Sequence, residues 1–259
     1  MASYPKLLPQ IAIDSTCDVF AYSLSGARTA DIPDATYDTI LEVCAALEVK
    51  LKVVSANFSV TVSNRGIVAI SNSSTSWTVT WGSTDTALRD LLGFAGTETV
   101  TGAGPYVLTA TKRHLRGWYS PVPVEYPGRR RRIARRYQET DSGDVSIIAS
   151  ATTHQEIDLL FDAALEYQLE PGQATTGDDG YGGSVDWTSR TFGDFWAYVA
   201  ALKFRYYEDA DLGTVAAPGT EGTTYLECVR TDSTDELEFE QVDPNGYTYF
   251  SVRLPMKVV

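Results

Sequence analysis

The chain has 259 residues, 43% of them apolar, a mean hydropathy of −0.16 and a formal net charge of −13. That length accommodates one large domain or two ordinary ones with a real core. Its apolar runs all fall short of the roughly 20 residues that span a bilayer, so no membrane partner is expected.

The first residues, Met1–Lys6, lack an apolar signal-peptide stretch. Cys17, Cys44 and Cys228 are odd in number, widely spaced and without a C-x-x-C. A protein made and kept in a cytosol is expected, without a disulfide framework or a zinc site. The 15 Tyr and the many Thr, Ser and Val favour β structure.

In chain order, Ile11, Ile13 and Val19–Leu24 suggest one or two strands ending near Ser25-Gly26. Asp34 or Thr36 then caps a helix over 37–51, whose buried stripe is Ile40, Val43, Cys44, Leu47 and Leu51. Strands over 57–63, 67–71 and 77–81 follow as a β-meander, and a short helix, Thr86–Leu92, stops at Gly93. Pro121, Pro123 and Pro127 keep the next stretch extended. The run around Arg129–Arg136 has no helical apolar stripe and reads as an extended or edge strand. Beyond it, 145–149 and 156–161 read as strands, 171–183 as a flexible Gly-rich acidic loop, and 192–202 as a helix. Strands over 203–207, 224–230, 237–242 and 247–259 complete the chain.

The fold expected is therefore α+β and mostly β. A small amino-terminal α+β domain (helix plus β-meander) covers 1–116, a Pro/Arg-rich junction covers 117–144, and a β-sandwich carrying one packed helix covers 145–259.

Chemistry-bearing patterns are sparse. His114 and His154 have no metal-binding neighbour at the usual spacing, and no G-x-S-x-G, Walker A or dinucleotide fingerprint stands between a strand and a helix. Asp178-Asp179-Gly180 lacks the acidic spacing of an EF-hand. The pairs Asp14/Asp18 and Asp209/Asp211 read as solvated carboxylates. No enzyme activity, catalytic residue, metal or cofactor is expected.

What stands out is a basic island. Nine of the 21 basic residues fall between Lys112 and Arg136: Lys112, Arg113, Arg116, Arg129, Arg130, Arg131, Arg132, Arg135 and Arg136. Such a run can release counterions from a polyanion, and Trp118, Tyr119, Tyr126 and Tyr137 could stack on bases. The acidic remainder repels nucleic acid at long range, however, and no nucleic-acid-binding motif accompanies the run. Guanidinium groups also pair bidentately with carboxylates, so Arg129, Arg130, Arg131, Arg132, Arg135 and Arg136 are the candidate assembly interface with acidic surfaces of like copies. A DNA-contacting head–tail connector or adaptor is one alternative. Another is a carbohydrate-binding decoration or adhesion protein using Tyr181 and Trp187.

Three segments carry a resemblance: Trp77-Thr78-Val79-Thr80-Trp81, Thr86–Phe94 with its Leu91-Leu92-Gly93-Phe94 box, and Arg116-Gly117-Trp118-Tyr119-Ser120-Pro121. Together they resemble the amino-terminal domain of tail structural proteins of tailed bacteriophages, over residues 30–126. Phe192-Gly193-Asp194-Phe195-Trp196 followed by Lys203–Asp209 is similar to the helix-then-strand pattern of distal-tail and tail-tube β-sandwiches. The resemblance implies a non-enzymatic virion subunit, made in the host bacterial cytoplasm. It implies self-association into rings, commonly hexameric, around the DNA channel. Neighbouring tail or neck proteins would be its partners, and DNA would pass without specific binding. On this view the second domain builds the ring and the first attaches laterally.

Overall fold

The computed structural model describes residues 5–94, 101–102, 106–119, 129–139, 145–165, 176–178, 184–186, 196, 198–231, 239–241 and 249–259. The chain is α+β and mostly β.

Strand β1 (Lys6–Pro9) is buried along its whole length, whereas β2 (Ile11–Ile13) buries Ile11 and Ile13 and exposes Ala12. β3 (Val19–Ser23) and β4 (Ala27–Asp31) form a hairpin whose turn places Ser25 and Gly26 at positive φ. β5 (Ala35–Tyr37) pairs with β2. That pairing holds Ala35–Tyr37 extended, so helix α1 (Ile40–Lys52) begins later than the expected residue 37 and its N-cap is Thr39, not Asp34 or Thr36. Glu42 accepts the Asp38 N–H at 2.9 Å and satisfies the helix entrance. The expected stripe is buried, joined by Leu41.

β6 (Phe58–Val62) and β7 (Val68–Asn72) pair as expected, but β8 (Trp77–Val79) does not extend them into a meander. Asn72 Oδ1 accepts the N–H groups of Ser74 and Thr75, both at 3.1 Å, and this side-chain turn redirects the chain. β8 joins β3 instead, while a 3₁₀ turn at Trp81–Ser83 ends the strand expected to reach Trp81. The helix α2 (Thr86–Leu91) closes with Gly93 at φ +83; the N–H of Gly93 bonds Asp90 O at 3.0 Å and that of Phe94 bonds Arg89 O at 3.1 Å. This is a Schellman end, the reason glycine stands there. Leu91, Leu92 and Phe94 are buried, with Phe94 on Trp81 at 5.0 Å between centroids.

β9 (Thr101–Gly102) pairs β8, giving a four-stranded sheet β4-β3-β8-β9, and β10 (Tyr106–Thr109) takes the free side of β7, giving β10-β7-β6. An edge-to-face aromatic chain Tyr22–Phe58–Trp77–Tyr106 links these two sheets, with centroids 5.7, 5.3 and 6.3 Å apart.

The largest sheet combines both ends of the chain. It contains β11 (Trp118–Tyr119), β12 (Arg129–Glu139) and β13 (Val145–Leu165). After a small hairpin of β14 (Thr176–Asp178) and β15 (Ser184–Asp186) come β16 (Phe204–Tyr207), β17 (Leu226–Arg230), β18 (Phe239–Gln241) and β19 (Tyr249–Val258). The order is β11-β1-β16-β17-β19-β13-β12, antiparallel throughout, with β18 also on β19. β1 thus sits between β11 and β16, and Tyr207, Leu212 and Val215 share the core with the amino-terminal residues.

Two readings change here. The loop expected at 171–183 contains β14, because Thr176–Asp178 finds a partner in Ser184–Asp186. The two strands expected at 145–149 and 156–161 are one strand of 21 residues, far above the usual ~5–6. Of the helix expected over 192–202, residues 192–195 and 197 lie outside the described set; Trp196 and Tyr198 are helical, and Trp196 is buried against Phe204.

Candidate assembly surface

β12 is the strand that the arginine run forms, and it ends the large sheet: among the described residues its only ladder is with β13. The extended reading of this segment therefore agrees with its position. Arg129 stands opposite Asp158 and Arg131 opposite Glu156. Arg130, Arg132, Arg135 and Arg136 stand opposite Ile157, Gln155, Ala149 and Ile148. Two of the six candidate arginines thus face an acidic residue in their own ladder, and four do not. A register shift between Ile133 and Arg135 separates 129–132 from 135–136. Such irregularities bend and twist a ribbon.

β13 is bordered differently along its length. β12 covers it from Val145 to Asp158, while β19 covers it from Glu156 to Leu165. Among the described residues, the part from Val145 to Gln155 pairs with β12 alone. The arginine strand consequently rides on a two-stranded ribbon that extends past the body of the sheet.

The basic island is not one surface. Arg113 donates to Tyr119 O at 3.0 Å and lies 5.5 Å over the Tyr119 ring, while Arg116 covers the Tyr198 ring at 4.1 Å. Both serve packing of their own surroundings. His114, nearby and buried, meets Tyr119 Oη at 2.7 Å through Nε2. Tyr126 of the stacking set, Tyr181 and Trp187 of the carbohydrate reading, and Asp179-Gly180 of the acidic Asp178-Asp179-Gly180 sequence lie outside the described residues. No three His, Cys, Asp or Glu among the described residues are placed to hold a metal ion.

The carboxylate pairs are accounted for by turns and supports. Asp14 accepts the N–H and hydroxyl of Thr16 at 2.9 and 2.6 Å, which holds its carboxyl below the usual range. Asp209 and Asp211 flank Ala210, whose carbonyl receives Lys6 Nζ at 3.1 Å. Burial pushes the Lys6 ammonium below its ordinary value, and the two aspartates oppose that shift. An open cleft of about 320 Å³ lies beside this loop, lined by Tyr206, Glu208, Asp209, Thr223, Thr224 and Tyr225.

Sequence patterns miss a buried charge that joins β16 to the entrance of α1. Arg205, 7% exposed on β16, donates through Nη2 to Asp38 at 2.9 Å and Glu42 at 3.1 Å, and its guanidinium lies 4.4 Å over the Tyr225 ring. Among the described residues, Nε and Nη1 have no hydrogen-bond partner. The available signal was a lone charge within Phe204-Arg205-Tyr206-Tyr207, a strand otherwise fit only for a core. Arg230 is a second case: it donates to Trp196 O at 2.6 Å and covers the Trp196 ring at 4.9 Å.

Comparison with models of protein families, with curated proteins and with solved structures finds no match.

Proposed function

We propose that the chain is a non-enzymatic structural subunit of a tailed-phage virion, made in the host cytoplasm, that assembles with copies of itself into a ring or tube of the tail around the DNA channel. The observation that carries this reading is β12: a terminal strand bearing six arginines on a ribbon that extends past its sheet, in a chain of net charge −13. An exposed strand edge is a template for pairing with another chain, and its basic character selects an acidic partner. Copies of this chain are acidic. The resemblance of the Leu91–Phe94 segment to phage tail proteins adds the virion context. Neighbouring tail or neck proteins would complete the assembly, and an acidic body would let DNA pass without holding it.

Sedimentation and negative-stain images of the purified chain test the reading. Rings or tubes are expected, weakening as salt rises because the Debye length shrinks from ~10 Å at 0.1 M to ~3 Å at 1 M. A chain that stays monomeric at every concentration and salt would refute it. A salt-dependent gel shift with DNA, without self-association, would favour the connector reading instead.

A further inference from the structure

The connection between β16 and β17, residues 208–225, is far longer than the ~2–5 residues of an ordinary hairpin loop, yet it is firmly held. Leu212 and Val215 are buried in the core, Tyr207 Oη donates to Pro218 O at 3.2 Å, and Asn64 Oδ1 accepts the Leu212 N–H at 2.9 Å. The loop also closes on itself, through the Thr224 N–H to Thr220 O and the Gly222 N–H to Tyr225 O, both at 2.8 Å. At its base lies the cleft of about 320 Å³ described above, which is therefore preformed. Its wall combines two tyrosines, Tyr206 and Tyr225, two acidic residues, Glu208 and Asp209, and two threonines, Thr223 and Thr224. Among the described residues no Lys or Arg lines it. Two cations adjoin these residues, but each already stands between two carboxylates: Lys6 with Asp209 and Asp211, and Arg205 with Asp38 and Glu42. Glu221 and Glu227 act on Tyr225 as well, so the balance around the cleft is acidic.

The molecule shows what such surroundings accept. The Arg205 guanidinium lies 4.4 Å over the Tyr225 ring while bonding two carboxylates. A guanidinium is planar, stacks on aromatic rings and takes a carboxylate bidentately, which suits it to a wall of tyrosine and acid. We infer that the cleft receives arginine side chains from β12 of a neighbouring copy, Arg130 and Arg132 being the pair that enters. The inference rests on the self-assembly reading and names its contact. In their own ladder Arg130 and Arg132 stand opposite Ile157 and Gln155, not opposite an acidic residue. β12 is separated from β17 by β19 and β13, three strand spacings or roughly 14 Å, so the arginines that reach the cleft belong to another copy. The contact joins different surfaces of the two copies. Its repetition gives a closed ring or an open helical tube, according to the rotation per copy.

Two substitutions test the cleft separately for space and for charge. Thr223→Trp fills it without altering net charge, at a residue exposed in the single chain. Glu208→Gln removes one carboxylate and keeps the shape. In sedimentation, assembly is expected to need about tenfold more protein with Thr223→Trp and about threefold more with Glu208→Gln. Cross-linking tests the contact without blocking it. In a Cys17→Ser background, where Cys44 and Cys228 are buried, copies carrying Arg130→Cys are mixed with copies carrying Thr223→Cys and joined by a short bis-maleimide. This mixed dimer should form faster than one between Arg130→Cys and Val53→Cys, a position 80% exposed on α1. If the unmodified chain assembles and both cleft variants assemble as it does, or Thr223→Cys links no faster than Val53→Cys, the cleft contact is wrong while self-assembly stands. If the unmodified chain never assembles, both fall.

Discussion

Replacing Asp38 and Glu42 by Ala leaves the Arg205 guanidinium, whose side chain is only 8% exposed, without either carboxylate. Removing the acceptors of a buried charge costs about 3–5 kcal/mol. Arg205→Met acts on the same contacts from the other side but keeps the stem packing. Its freed carboxylates, with side chains 45% and 33% exposed, recover water. What it loses is the contact with Tyr225 and part of two charge-assisted bonds, about 2 kcal/mol together. With Arg205→Met already in place, the Asp38/Glu42 change should cost only about 1 kcal/mol, chiefly the helix-entrance interactions. The expected coupling is therefore about 2–4 kcal/mol. Urea denaturation of the four proteins, followed by tryptophan fluorescence, measures it. Effects that add to within about 0.5 kcal/mol would refute the shared buried charge.

Two further outcomes follow from the same physical reading. Gly66→Ala places a Cβ into the Tyr119 ring at φ +78, whereas Gly222→Ala, also at φ +78, meets nothing. About 1–2 kcal/mol of left-handed strain is common to both, so Gly66→Ala should lose a further 1–3 kcal/mol of unfolding free energy, and equal losses would show that the close approach to Tyr119 carries no cost. Burial pushes the Tyr207 hydroxyl from 10.0 to about 12, while Arg205 pulls the other way. The unfolded phenol ionises first, so stability should fall as pH rises from 10 toward 12. Tyr207→Phe should flatten that fall in pH-dependent denaturation, and an unchanged slope would assign the loss to other groups.

Local elements were legible wherever one face of an element repeats. The stripe Ile40–Leu51, the alternation of Phe58–Val62 and the glycine stop at Gly93 each depend on neighbours a few residues away, and the structure carries all three. Partnerships across the chain were not legible. Nothing near Ala35–Tyr37 announces that Ile11–Ile13 will pair with it and delay the helix. The polar stretch Ser150–Gln155 interrupts the apolar pattern of β13, and pairing with β12 spans that break from either side. Trp77 alternates as well as any meander strand, but the Asn72 turn sends it to another sheet. At the candidate surface, the edge position of the arginine run was readable from charge density without a helical stripe. Its register against Asp158 and Glu156 was not, and neither was the Arg205 centre, whose partners Asp38 and Glu42 lie 167 and 163 residues away.

The position of β1 sets a schedule for synthesis. Lys6 and Ala210, bonded in the folded chain, are 204 residues apart, and β1 binds β16 on one side and β11 on the other. At ~5–20 residues per second, a ribosome needs roughly 10–40 s to deliver the second partner after the first strand has emerged. Throughout that interval Leu7 and Leu8, wholly buried in the finished sheet, have no β16 to cover them. Such high-contact-order pairing is intrinsically slow. Leu7 and Leu8 therefore stay open to misassociation on that side until the strand Phe204–Tyr207 arrives.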